Sequence, residues 1–76
     1  MIKLESNSDF EIVRFSDSRY EKLTAEVRYK GEPIAQINQD KKNYELEIFA
    51  DLKTAVLIVP LEEFLESLKL AKNALL

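Results

Sequence analysis

The 76 residues include no cysteine, no histidine and no tryptophan, a single glycine and two prolines. Without cysteine there can be no disulfide, no thiolate nucleophile and no cysteine-type zinc site, a composition that fits a reducing cytosol. Without imidazole a Ser–His–Asp arrangement cannot be built, and metal binding is restricted to oxygen ligands that suit hard cations. A loop that cradles phosphate needs several glycines, and Gly31 stands alone. No apolar run approaches the roughly 20 residues of a membrane span, and the opening MIKLESNSD is too polar for a secretion signal. The net charge of −3 is mild and mainly assists solubility. These absences point to one cytoplasmic domain over residues 1–76, with no cofactor, no membrane contact and no small-molecule ligand indicated. A domain this short buries only about 60% of its unfolded surface, so a partner subunit is a common source of additional stability.

What remains is a clear pattern of alternation. Leu23-Thr24-Ala25-Glu26-Val27-Arg28-Tyr29 alternates apolar and polar residues, which predicts a half-buried strand. KGEP follows as a turn, with the glycine where a positive φ costs little. Pro33 has no N–H to donate back to Lys30, so a loop of three or five residues is expected rather than a two-residue hairpin. Either length puts Ala35 and Ile37 on the side of Ala25 and Val27. With DKKN as the next turn, Gln39 faces Tyr44, Ile37 faces Leu46 and Ala35 faces Ile48. Three strands then share one inner face, and such agreement between separate signals is what a foldable sequence shows. FEIVRF reads as a further strand that carries apolar residues on both sides, and IKLE extends or precedes it.

The run Ala55 to Val59 is entirely apolar and predicts one more strand, after which a helix begins at Pro60 with Val59 in the N-cap place. Proline suits a first helical position. Glu62 and Glu63 in the first turn, and Lys69 and Lys72 toward the end, complement the helix dipole. Leu61, Phe64, Leu65, Leu68, Ala71 and Leu75 recur at the spacing of one helical face, while Leu70 projects from the other side among Glu63, Glu66 and Asn73. The expected fold is α+β: an antiparallel meander of four or five strands with one C-terminal helix packed on its inner face. Thr24, Glu26, Arg28, Glu45 and Glu47 fall on the outer, solvated face. The same register sets Ile34 opposite Phe49 on that outer side, where the apolar strand adds Val56 and Ile58, or else Ala55, Leu57 and Val59. Ile34, Phe49, Val56, Ile58 and Leu70 are therefore candidate interface residues. Three covers are open: the N-terminal segment through Ile2, Leu4 or Phe10, a second copy in a two-fold dimer, or a different protein.

Candidate catalytic groups are few. Asp9 and Asp17 lie in loop-like segments without calcium-loop spacing, where aspartate ordinarily shapes turns. Glu45 and Glu47 point the same way about 7 Å apart, yet acid–base work needs one of them desolvated, and a polar outer face offers no pocket. Lys22 has no neighbour that marks it as a catalytic amine. No enzyme is indicated. A single-strand nucleic-acid platform needs outward aromatics and a basic groove. Tyr29 and Tyr44 face inward in this register, and Arg28 and Lys30 share the outer face with Glu26, Glu45 and Glu47, which repel phosphate.

Several strands leading into a terminal helix resemble, in element order alone, the Pur- and Whirly-type single-strand binders, whose glycine-rich basic strands are missing here. YKGEPIAQI, then YELEIF, then VPLEEFLESLKLAKNAL resemble small bacterial and prophage proteins encoded beside toxins, including some immunity proteins. That resemblance implies stoichiometric binding of one partner, with Glu26, Glu45 and Glu47 meeting a basic surface. The expected function is thus protein–protein interaction without catalysis, through self-association in a homodimer or through another protein such as a toxin. A single-stranded nucleic-acid binder is the alternative.

Overall fold

The computed structural model describes residues 2–49 and 56–76. Its elements are β1 (Ile2–Lys3), β2 (Phe10–Phe15), β3 (Thr24–Tyr29), β4 (Glu32–Asn38), β5 (Glu45–Ile48) and α1 (Leu61–Asn73). The five strands form one antiparallel sheet in the order β1-β2-β3-β4-β5, and α1 packs across β2, β3 and β4. This is the α+β meander with a C-terminal helix that the alternation predicts.

The expected register holds between β4 and β5, where Ile37 pairs with Leu46 and Ala35 with Ile48. It holds also between β3 and β4, where Ala25 pairs with Ile37 and Val27 with Ala35. The connecting turn differs. Tyr29 pairs with Glu32, so the loop is the two residues Lys30 and Gly31, both at positive φ (50° and 83°), as a tight hairpin turn with the favoured twist requires. Pro33 then falls opposite Arg28, one pair beyond the closing pair, where the alternation of an antiparallel ladder asks for no bond to the neighbouring strand. A two-residue loop alone would have turned Ala35 and Ile37 to the wrong face. The pairing shifts by one between Arg28–Pro33 and Val27–Ala35, leaving Ile34 as the extra residue of a bulge, and this restores the inner face.

FEIVRF acquires its orientation from β3. Phe10 lies opposite Tyr29 and Ile12 opposite Val27, and both are buried. IKLE precedes this strand: Ile2 and Lys3 pair with Ile12 and Glu11, and the Leu4 N–H donates to the Phe10 carbonyl at 3.0 Å. The core comprises Leu4, Phe10, Ile12, Ala25, Val27, Ile34, Ala35, Ile37 and Ala71. Phe10 anchors its aromatic part, 4.7 Å from the Tyr29 ring centroid and 6.5 Å from that of Phe64.

Pro60 is the N-cap of α1, with extended backbone and no side-chain hydrogen bond, one residue later than the sequence suggests. The helix is also rolled relative to its predicted face. Ser67 and Ala71 lie fully buried at the centre, while Leu61 and Leu65 are exposed. Small residues let the helix approach the sheet closely, and Ser67 satisfies its hydroxyl within the helix by donating to the Phe64 carbonyl at 2.6 Å. Leu70, expected on the far side, is half-buried on the flank that meets the N-terminal segment. There it helps line a cavity of about 400 Å³ with Ile2, Leu4 and Glu66. The expected strand from Ala55 to Val59 is not formed where it can be followed: Val56–Val59 carry no strand, and Ala55 lies outside the described residues.

Candidate functional site

Two surfaces of the sheet carry features that folding alone does not require. The first is the outer face, which is not the solvated surface expected. Thr24, Glu26, Gln36 and Asn38 are buried there, because the segment between β2 and β3 folds back over them. Asp17 starts this segment as a turn former: its Oδ1 accepts the Arg19 N–H at 3.0 Å. The Arg19 guanidinium bridges Asp17 at 2.8 Å and Glu47 at 3.0 Å. Glu47 Oε2 gathers the Tyr20 hydroxyl at 3.0 Å, the Gln36 amide at 3.0 Å and the Asn38 amide at 3.3 Å, and Gln36 also donates to Asp17 at 3.1 Å. Asp40 fastens the segment's end, accepting the N–H groups of Glu21 and Lys22. Within this cluster only the Asn38 amide oxygen is a buried polar atom without a partner.

Electrostatics follow from that packing. Hydrogen bonds from Arg19, through side chain and backbone, and from Gln36 hold the Asp17 carboxyl far below the carboxylate range. Desolvation pushes the Glu47 carboxyl up, but bonds from Gln36, Tyr20 and Asn38 together with the Arg19 charge outweigh it, so it too titrates below its ordinary value. Desolvation, and then the hydrogen bond to Glu47, push the Tyr20 phenol up. A carboxylate so held is a poor proton acceptor at neutral pH, and the arrangement reads as a clasp that ties a loop to the sheet. Folded-state values below the unfolded ones give stability that is complete above the ordinary carboxylate range and is lost as pH falls through the folded values. The raised phenol acts at the other limit, its share being lost as pH climbs through its folded value. Melting temperature should therefore be level from about pH 5 to 9 and fall at both ends. Glu47→Gln should flatten both limbs, as thermal melts across pH will show.

The second surface is the inner face beyond the helix. An α-helix with its side chains is about 10 Å wide and strands lie about 4.8 Å apart, so one helix cannot shelter five strands. The uncovered part falls at β5. Leu46 and Ile48 share the helix side of the sheet, since they pair with the core residues Ile37 and Ala35, yet Ile48 is 70% exposed. The helix flank that faces β5 is marked by Lys72, whose ammonium lies 5.4 Å from the Tyr44 ring centroid. Leu61, Leu65 and Leu68 continue that flank at helical spacing, with Leu61 65% and Leu65 51% exposed. Val56, Leu57 and Ile58 lead into the helix and are exposed as well, Ile58 at 83%. The rim is charged, with Lys41 3.6 Å from Glu45 and Lys72 over Tyr44.

Of the five interface residues expected from sequence, Val56 and Ile58 are exposed in the segment that leads into the helix. Phe49 is half-buried, its N–H donating to the Ile34 carbonyl at 3.0 Å. Ile34 is not exposed: the bulge places it among the buried core residues at 6% exposure. Leu70 occupies the opposite flank of the helix against the N-terminal segment. The N-terminal segment thus shares a cavity with Leu70 and leaves β5 uncovered. Sequence reasoning missed Leu46, Ile48, Leu61 and Leu65, and held Leu57 only as an alternative to Val56 and Ile58. The signal that could have found them is the width of one helix set against five strands.

No family model, curated protein or solved structure matches this chain. Among the described residues no helix is long and apolar enough to cross a membrane, and no cluster of three metal-ligating side chains occurs.

Proposed function

We propose that the chain is a non-catalytic protein-interaction domain that associates with itself through the apolar surface formed by β5, the Val56–Ile58 segment and the β5-facing flank of α1. The observation that carries this reading is the clustering of large apolar side chains on one side of a small fold, when contiguous exposed patches beyond a few hundred Å² are uncommon on monomers and mark binding surfaces. An apolar centre with a charged rim is also the usual anatomy of an interface. The nucleic-acid alternative has less support: the outer face carries Glu45 and Glu47, and its arginines Arg19 and Arg28 are paired with Asp17, Glu47 and Glu26. Sedimentation equilibrium over a concentration series provides the test. A molecular mass that rises from one chain to two is expected, and a single-chain mass at millimolar concentration would end the proposal.

A further inference from the structure

We infer that the second copy is engaged by strand exchange, with Val56–Ile58 of each chain adding to the outer edge of β5 in the other. This rests on the self-association reading and specifies how the copies meet. Donor and acceptor are both present in one chain. Val56–Ile58 is apolar, exposed and in no strand, and β5 ends the sheet with no strand on its outer edge among the described residues. Strand addition to such an edge is a general mode of recognition.

Topology argues that the donor does not serve its own chain. Phe64 packs against Phe10, whose strand partner is Tyr29 at the turn end of β3, and Lys72 lies over Tyr44. The helix therefore starts near the Ile48 end of β5 and runs back toward Tyr44. A hairpin between β5 and residues 56–59 of one chain would instead carry Val59 about 10 Å along β5 toward Glu45, away from the helix it must enter. A parallel arrangement would need a crossover of a dozen or more residues, and only residues 50–55 are available.

Charge argues against the simplest dimer. In an antiparallel β5–β5 pairing, residues on one face meet each other, so Glu45 and Glu47 would oppose the same glutamates of the second copy, an arrangement that repels. Val56–Ile58 carries no charge and meets that edge without penalty. Area agrees. The exposed fractions of Tyr44, Leu46, Ile48, Leu61, Leu65 and the three donor residues correspond to roughly 300–550 Å² of apolar surface per chain, taking about 60–120 Å² for each fully buried side chain. A standard interface buries about 800 Å² per partner, somewhat more than half of it apolar. Reciprocal exchange uses both surfaces of both chains and closes with two-fold symmetry.

The test mixes isotope-labelled and unlabelled chains and records only contacts between copies by filtered nuclear Overhauser spectroscopy, with mass measured on the same sample. Contacts between Val56–Ile58 of one copy and Glu45–Ile48 of the other are expected. Alternate N–H groups of an added strand face the edge, so one of Leu57→Pro and Ile58→Pro, both outside every element, removes a ladder donor; that one should weaken the dimer at least tenfold and leave the helical circular dichroism signal unchanged. A dimer without those contacts, or one indifferent to both Leu57→Pro and Ile58→Pro, overturns exchange and keeps self-association. A single-chain mass overturns both.

Discussion

Replacing Phe10 with alanine costs about 3–5 kcal/mol of folding stability, the range for a buried phenylalanine. A chain of this length is stable by roughly 4–11 kcal/mol, so the variant sits at or near the edge of unfolding. The size of the effect follows from position. Phe10 is fully buried, it touches the rings of Tyr29 and Phe64, and it joins the sheet to the helix. Its removal leaves a void where β2, β3 and α1 meet, and the residues buried at the centre of the helix, Ser67 and Ala71, have no bulk with which to fill it. Urea titration at fixed chain concentration reads the loss as a lowered midpoint with unchanged slope. Concentration must be fixed because any dimer adds to apparent stability by mass action. A loss under about 1 kcal/mol would place the centre of the core elsewhere.

Ile48→Lys should have the opposite profile. The side chain is 70% exposed in the single chain, so folding should change by no more than about 0.5 kcal/mol. In a dimer the same position is covered. Losing a buried isoleucine forfeits about 1.5–3 kcal/mol, and forcing an ammonium into an apolar interface adds to that. The dissociation constant should rise at least 10- to 100-fold, and Ile58→Lys should act likewise. Ile34→Lys separates surface from core. The sequence pattern puts Ile34 in the same patch, but the structure buries it, so that change should unfold the chain. If Ile48→Lys unfolds the chain as well, β5 is core and the surface reading fails.

That pair of isoleucines shows what was legible in the sequence. The strand register between β3, β4 and β5 could be read because alternation fixes faces, and a slip of one residue would have exposed every apolar side chain at once. The bulge at Ile34 could not, since the tight Lys30-Gly31 turn and the shift that corrects it cancel in the pattern they leave. The helix was evident in the spacing of its leucines, whereas its roll was not. Periodicity weights large apolar residues, while close approach to a sheet selects small ones, here Ser67 and Ala71. The fold-back of Asp17, Arg19 and Tyr20 over Gln36 and Asn38 left no trace, because polar contacts between distant segments have no period. The run before Pro60 reads as a strand by composition, but a strand also needs a neighbour, and among the described residues Val56–Val59 has none. The surplus of apolar surface could be read, but only the structure located it beside β5.

Residue-resolved hydrogen exchange over a dilution series addresses that surplus. Amides of Glu45–Ile48 and Val56–Ile58 should exchange more slowly as concentration rises, while those of Ile2 and Lys3, at the other edge of the sheet, stay constant. Rates in β5 and the pre-helix segment that ignore concentration would contradict coverage of this face by a second copy.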